Sequence, residues 1–291
     1  MIKLILFPLF LSTSFFSQVD IQVTSLGKNL YKLDISGVSS VASIGSDGVL
    51  LSDTGFERAG QSLQSALKQL GGNDIKYIIN THWHADHCGG NKVLAKEKDV
   101  VIIAHQNVKK TRSEDQLLTV FWQEEHKALP DYALPNLTFS KKLTLFFNDE
   151  QIEIIHLPNG HTDGDAVVYF KNTNVLHMGD LLFSDGFPAI DFEHGGNAKQ
   201  WAENLQTIID MVPPDTKLIA GHGRDYNIED LKKYKKMLLS TERIVEKALN
   251  QGWSLSEMIE NDILKDWDSW TEAHHSCEQW IEILYHSLTY K

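Results

Sequence analysis

The sequence predicts an α/β (α+β) fold in which two β-sheets pack face to face with helices on the outside. Apolar runs with strand character are interleaved with helical segments, and this pattern occurs twice along the chain. The 291 residues can bury a substantial core, and 42% hydrophobic with 23% charged residues is ordinary for a globular protein. No low-complexity linker divides the chain, so we predict one large domain.

The N-terminal segment MIKLILFPLFLSTSFFSQ has the pattern of a short secretory signal. Lys3 precedes an apolar stretch from Leu4 to about Leu11, which is too short to span a bilayer comfortably. We therefore predict a signal peptide over residues 1–17 and a mature domain over residues 18–291. The mature domain would have no integral membrane segment and would be periplasmic or secreted. The alternative is a buried first strand.

The first half of the domain is predicted to begin with four strands, IQVTSL, LYKLDI, SVASIG and GVLLSD. The segment FERAGQSLQSALKQL then places five apolar residues on one helical face: Ala59, Leu63, Ala66, Leu67 and Leu70. Gly71 and Gly72 end this helix. IKYIIN and DVVIIAH are typical of buried strands, and residues 106–128 are predicted to be helical.

The second half repeats the arrangement. LTLFF and QIEIIHL form a predicted hairpin around FNDEQ, and AVVYF pairs with NVLHMGD through KNT. A helix near residues 198–211 and the strand KLIAGHG follow, and a helical extension runs from about residue 228 to the C-terminus. Four tryptophans of this extension are expected to pack in the core: Trp253, Trp267, Trp270 and Trp280.

Residues 81–91, THWHADHCGGN, crowd three histidines and an aspartate directly behind the apolar run IKYIIN. Imidazole nitrogens and carboxylate oxygens are ligands for borderline and hard divalent metals. Alternate side chains diverge, so His82 and His84 can face one metal while Asp86 and His87 face another. One loop cannot fill two coordination shells, and further ligands must come from elsewhere.

Three further residues have a suitable setting, each near an apolar strand and next to a glycine that allows a tight turn: His161 in NGHTDGD, Asp180 in HMGDLLF and His222 in AGHGRD. If the preceding strands align, four loops converge on one edge of the sandwich. Each histidine taken alone is more typical of a solvated surface. Their joint occurrence favours a metal site.

The ordered motifs HWHADH, GHT, GD and GHG resemble those of the metallo-β-lactamase superfamily, over roughly residues 20–225. The resemblance implies an αββα sandwich of two mixed β-sheets flanked by helices, with two divalent metal ions, preferably zinc, at one edge. It implies seven metal ligands: His82, His84 and His161 on the first metal, Asp86, His87 and His222 on the second, and Asp180 between the two. Asp53, in LLSDTG, matches a position that supports such a site from behind.

Two metal ions lower the pKa of a shared water toward about 7 and so make hydroxide available near neutral pH. Asp86 is the candidate catalytic residue, because it would orient this nucleophile besides binding metal. We predict an exported hydrolase that cleaves a small ester, lactone, thioester or amide. Arg224 and His194 are the candidates for substrate binding, with a solvated arginine as the alternative for Arg224.

Other functions stay open at this stage. The assignment as a β-lactamase is weakened by two residues. Asp180 stands where many zinc β-lactamases have cysteine, and Phe183 stands where they often have lysine. A mononuclear iron sulfur dioxygenase would need only two histidines and the aspartate, so the complete second set argues against it. A metal-binding module without catalysis is the third alternative.

The net charge indicates which partners the protein can bind, and the cysteine content indicates whether disulfide bonds form. A net charge of −12 repels phosphate backbones, so we predict a small-molecule substrate and no nucleic acid. Cys88 and Cys277 are too few for a disulfide framework, and we expect two free buried thiols rather than one bridge. Trp83 is predicted to pack rather than to contact substrate.

We predict that protein recovered from its source cell lacks residues 1 to about 17, because the lysine followed by an apolar stretch directs export and cleavage. Mass spectrometry of the intact mature protein checks this. Detection of the N-terminal peptide with Met1 and Lys3 would contradict both the cleavage and the exported location.

Overall fold

The structure is a computed structural model that describes residues 19–96, 99–120, 123–271 and 273–290. The predicted signal peptide, residues 1–17, lies outside these ranges. Within them, no helix combines the length and apolar character that crossing a membrane requires.

The described residues form fourteen strands: β1 (Ile21–Gly27), β2 (Leu30–Ile35), β3 (Val38–Gly45), β4 (Gly48–Ser52), β5 (Ile75–Ile79), β6 (Val101–His105), β7 (Gln116–Leu117), β8 (Glu125–His126), β9 (Leu137–Phe139), β10 (Lys142–Phe147), β11 (Glu150–His156), β12 (Ala166–Phe170), β13 (Val175–His177) and β14 (Lys217–Ile219). They also form eight α-helices: α1 (Gly60–Gln69), α2 (Ala85–Cys88), α3 (Asn91–Leu94), α4 (Gln106–Arg112), α5 (Ala198–Met211), α6 (Ile228–Asn250), α7 (Leu255–Glu260) and α8 (Cys277–Thr289).

Most strands belong to two mixed sheets. The larger has the order β1-β2-β3-β4-β5-β6-β9, antiparallel from β1 to β4 and parallel from β4 to β9. The smaller has the order β10-β11-β12-β13-β14, with only its last pair parallel. Helices cover the outer faces of both, so the predicted αββα sandwich is confirmed.

The layers follow from the alternation of side chains along each strand. Leu50 of β4 packs between the two sheets with Ile154 of β11. Its neighbour Leu51 points the other way and packs against Leu63 of α1. All four side chains are fully buried, and burial of one such side chain stabilises the fold by about 1.5–3 kcal/mol.

The outer face of the smaller sheet is covered by the C-terminal helices. Trp201 of α5 and Leu231 of α6 pack in the same cluster as Val167 and Leu176 of the sheet. Trp280 of α8 is fully buried there, and the other three tail tryptophans are partly buried against this cluster. The prediction that these tryptophans serve packing is confirmed.

The prediction of a helix over residues 106–128 is wrong beyond Arg112, where α4 ends. β7 and β8 follow and pair with each other. The cause is that carboxylates bind backbone N–H groups which a helix would need: Asp115 accepts from the N–H of Ala128, and Glu193 accepts from the N–H of Thr119. Glu193 is distant in sequence, so the local pattern could not reveal this competition.

Candidate metal centre

Two pairs of parallel strands position most of the candidate ligands. β4 and β5 are parallel, so Asp53 and the segment 82–87 follow them at the same edge of the larger sheet. β13 and β14 are parallel, so Asp180 and His222 follow them at one edge of the smaller sheet. His161 lies in the loop between β11 and β12. Because the sheets face each other, these loops meet at one edge of the sandwich.

The seven predicted ligands form two groups that share one residue. His82, His84, His161 and Asp180 make one group, and Asp86, His87, Asp180 and His222 make the other. Within each group, one ligand atom from every residue lies within 4.8 Å of the others. The structure thus brings together every residue that the motifs single out, and their role as ligands stays a prediction.

Asp180 has the geometry that a bridging carboxylate needs. Its Oδ2 lies 3.7 Å from His82 Nε2 and 3.6 Å from His161 Nε2 in the first group. The same oxygen lies 3.3 Å from His222 Nε2 in the second group, and Oδ1 lies 3.0 Å from His87 Nε2. One carboxylate, only 4% exposed, therefore contacts ligand nitrogens of both groups.

Backbone carbonyls orient two of the rings. His161 Nδ1 lies 2.8 Å from the carbonyl oxygen of Ala189, and His222 Nδ1 lies 3.1 Å from that of Gly37. A carbonyl only accepts, so each ring donates from Nδ1 and keeps its lone pair on Nε2. Both Nε2 atoms face the centre. A metal requires this arrangement, with the proton on Nδ1 and Nε2 free to bind.

Asp53 lies behind the candidate ligands, where we predict a residue that supports the site. It is fully buried, and its Oδ2 lies 2.8 Å from His87 Nδ1. It also accepts from the backbone N–H and the hydroxyl of Thr81, at 2.8 and 2.7 Å. The Thr81 hydroxyl in turn lies 3.1 Å from His82 Nδ1, so one carboxylate orients a ring in each group.

Asp191 performs the same task for His84, and sequence reasoning missed it. Its Oδ2 accepts from the indole N–H of Trp83 at 2.9 Å and lies 3.1 Å from His84 Nε2. Its Oδ1 lies 3.0 Å from His194 Nδ1. Trp83 is buried, so its predicted packing role is confirmed, and it also orients Asp191. No spacing rule links residue 191 to residue 84.

The residues present fit two divalent cations. His87 Nε2 and Asp180 Oδ1 are buried and lie 3.0 Å apart, yet neither makes a hydrogen bond of acceptable geometry with a described residue. His161 Nε2 and His84 Nδ1, both left with lone pairs by their outer contacts, lie 2.8 Å apart. Such an approach is unfavourable between two lone pairs and favourable around a shared cation. Five imidazoles with two carboxylates suit zinc.

The two groups differ in their electrostatics. Burial lowers the pKa of His82 well below its usual value and that of His161 to about 4, so both rings are neutral at neutral pH. Burial also lowers the pKa values of His87 and His222, but the negative charges of Asp180 and Asp86 outweigh this effect. They raise the pKa of His87 well above its usual value and that of His222 to about 10. A metal ion in the second group takes the place of the proton that these carboxylates attract.

A cleft of about 270 Å³ opens onto the two groups. It is lined by five of the candidate ligands together with apolar and polar residues that the motifs did not indicate: Phe56, Ala85, Leu118, Glu124, His126, Phe183 and Ala189. Phe183 stacks on His222 with ring centroids 4.9 Å apart and so covers one side of the second group.

The two candidates for substrate binding lie elsewhere. Arg224 is half exposed and binds Asp185 at 2.6 Å and Asp230 at 3.2 Å, which agrees with the solvated alternative. His194 packs on Trp83 and contacts Asp191, so it lies behind the ligands. Neither is among the described residues that line the cleft, and their role in binding substrate stays a prediction.

The two cysteines are free and buried, as expected. Burial raises the pKa of the Cys88 thiol to about 11, and its Sγ donates to the carbonyl oxygen of Trp83. Cys88 therefore stabilises the ligand loop rather than supplying a thiolate.

Comparisons with known proteins agree with this geometry. The family model described as "Metallo-beta-lactamase superfamily" matches residues 34–223. A protein of Pelagibacter ubique (strain HTCC1062) named hydroxyacylglutathione hydrolase is 33% identical over 151 residues, which are 51% of this chain and 52% of that protein. The chain thus spans about half the length of this curated relative.

Solved structures show the same fold at low sequence identity. A metallo-beta-lactamase from Pontibacter korlensis is 19% identical with a TM-score of 0.61, covering 76% of this chain and 99% of that one. A sec-alkylsulfatase from Pseudomonas sp. is 15% identical with a TM-score of 0.68, covering 92% of this chain and 50% of that one. At these identities the likeness concerns the fold alone.

We predict that Asp180→Ala loses metal and lowers turnover by orders of magnitude, because the carboxylate contacts both groups. Elemental analysis and circular dichroism check this, with unchanged secondary structure expected. Asp185→Ala, which removes a half-exposed carboxylate paired with Arg224, is the matched control. Full metal content and activity in Asp180→Ala would show that Asp180 is not a ligand.

We further predict that Asp191→Asn weakens metal binding by about 10- to 100-fold, because an amide is a poorer acceptor for the His84 N–H. Titration against a chelator of known affinity measures the change. Glu193→Gln alters a carboxylate of the same turn, one that binds Thr119 instead of a ligand histidine, and should leave metal affinity unchanged. If both variants bind metal with equal affinity, Asp191 does not support the metal ligands.

Proposed function

Because the chain belongs to the metallo-β-lactamase superfamily, we propose that it is an exported hydrolase with two divalent metal ions, preferably zinc, at this centre. Its substrate is a small molecule with a scissile ester, lactone, thioester or amide bond. The observation that carries the proposal is the Asp180 carboxylate, which contacts imidazoles of both ligand groups.

The bound metal ions would supply a nucleophile at neutral pH and polarise the carbonyl oxygen of the substrate. The residues do the positioning. Asp86 Oδ2 lies 3.4 Å from His87 Nε2 and 3.3 Å from His222 Nε2, and the side chain lines the cleft. It is thus placed both to hold metal and to accept a hydrogen bond from the attacking water, which fixes the direction of attack.

The shape of the cleft and one relative support acyl compounds as substrates. A volume of about 270 Å³ admits a small molecule, and Phe56, Leu118 and Phe183 provide apolar walls. The relative from Pelagibacter ubique has a name that describes hydrolysis of an acylated glutathione. Both observations are consistent with acyl transfer to water, which is hydrolysis of an acyl compound.

The proposed export rests on the N-terminal sequence. Lys3 followed by apolar residues is typical of a secretory signal. An exported enzyme meets substrates outside the cytosol, which favours small esters, lactones, amides and thioesters that occur there.

The test is a panel of thioesters, lactones, esters, amides and a β-lactam, offered to metal-loaded protein whose metals are quantified. We expect hydrolysis of at least one acyl compound, loss of this activity on chelation, and its return with zinc. Asp180→Ala is the inactive reference. Two bound metals without any hydrolysis would indicate a metal-binding module, and one iron with oxygen consumption would indicate a dioxygenase; either result contradicts the proposal.

A further inference from the structure

A second and larger cavity, of about 940 Å³, adjoins the metal cleft. Phe56, Ala85 and His126 line both cavities. The two cavities are therefore adjacent, with these three residues at their common border. The wall of the larger cavity comes from the start of α1, from α2 and α3, from the end of α4 and from the segment 125–129.

Arg112 lies in this wall and is the buried cation of the cavity, with 3% of its surface exposed. Its guanidinium atoms Nε and Nη1 have no hydrogen-bond partner among the described residues. Burying a charged group without partners opposes folding, so proteins rarely keep one where no ligand or counter-ion completes it. Guanidinium N–H groups form strong charge-assisted hydrogen bonds with carboxylate oxygens.

Four of the other charged residues of the cavity form two ion pairs, and the fifth is an exposed arginine. Lys92 binds Glu57 at 2.8 Å, and Lys127 binds Glu125. Arg58 is exposed and stacks on Phe56, with its guanidinium carbon 4.1 Å from the ring centroid.

The cavity wall therefore contains four basic and two acidic residues, in a chain whose net charge is −12. One buried positive charge is uncompensated, that of Arg112. A single carboxylate neutralises one charge, whereas a phosphate dianion would bury an excess negative charge.

We infer that the larger cavity binds a carboxylate group of the substrate through Arg112. The inference rests on the proposed function, because the carboxylate belongs to the part of the molecule remote from the scissile bond in the metal cleft. The substrate class is thus an ester, thioester, lactone or amide with a free carboxylate. Arg112 is a specificity-determining residue that holds this end of the molecule.

A binding role and a structural role predict opposite effects on stability. Arg112→Met keeps the length of the side chain and removes an unpaired buried charge, so its melting temperature should equal or exceed that of the wild type. If Arg112 stabilised the fold, the same variant would melt at a lower temperature. Arg243→Met, on the exposed side of α6, makes the same chemical change away from both cavities.

The experiment compares two thioesters in the metal-loaded enzyme, a glutaryl thioester with its free carboxylate and the methyl ester of the same compound. We expect the wild type to prefer the free acid by about tenfold or more in kcat/KM, as a charge-assisted hydrogen bond supports. Arg112→Met should bring this ratio close to one, mainly through KM. Arg243→Met should keep the wild-type ratio.

A binding measurement separates this inference from the proposed function. Calorimetric titration of the metal-loaded protein with glutarate should show binding that Arg112→Met weakens by about tenfold. If neither thioester is cleaved but glutarate binding depends on Arg112, the carboxylate site stands and the proposed activity fails. If both thioesters are cleaved equally by the wild type, or glutarate binds the variant equally well, the inference is overturned and the activity stands. Stronger competition by inorganic phosphate than by glutarate would also overturn it.

Discussion

Five imidazole rings can share one small volume only if each ring has a partner for the nitrogen that faces outward. Ala189, Gly37, Asp53 and Asp191 act as acceptors for four of the rings, and the Thr81 hydroxyl contacts the fifth. Each outer contact fixes the tautomer, so the inward nitrogen presents its lone pair. These contacts hold His161 Nε2 and His84 Nδ1 only 2.8 Å apart although both nitrogens carry lone pairs there. The remainder of the fold serves to bring these partners together.

The partners come from both sheets, which explains the close packing at this edge. Asp53 follows β4 of the larger sheet, whereas Asp180 and His222 follow strands of the smaller sheet. The N–H of Gly221 donates to the carbonyl oxygen of Gly179 at 2.8 Å, which ties the Asp180 turn to the His222 turn. A Cβ at position 221 would lie 2.1 Å from Asp180 Oδ1, so only glycine permits this approach. The glycines beside the ligands thus set the position of the bridging carboxylate.

What the sequence predicts, and what it does not, follows from the range of the interactions. The ligand segment 82–87 and the strands depend on local pattern, and both were predictable. Asp191 acquires its role from a contact that spans 107 positions of the chain, the one with His84. The helix predicted after Arg112 is absent because Glu193, 74 residues away from Thr119, accepts from a backbone N–H that the helix would need. Arg224 and His194 bind carboxylates outside the cleft, at Asp185 and Asp191, and their role in substrate binding stays a prediction.

Seven buried side-chain polar atoms of the described residues lack a hydrogen-bond partner, and they are not scattered evenly. Four belong to His87, Asp180 and Arg112, in the metal centre and the adjoining cavity. A fifth, on His274, lies in a ring that packs against Phe183 at the border of the cleft. Folded proteins satisfy most of their buried polar groups. Those left without a partner tend to lie where a ligand binds. The inter-sheet core, which is apolar and tightly buried, supplies the stability that these groups reduce. The unsatisfied polar atoms of the metal centre and of Arg112 thus lie where we propose that a metal and a substrate carboxylate bind.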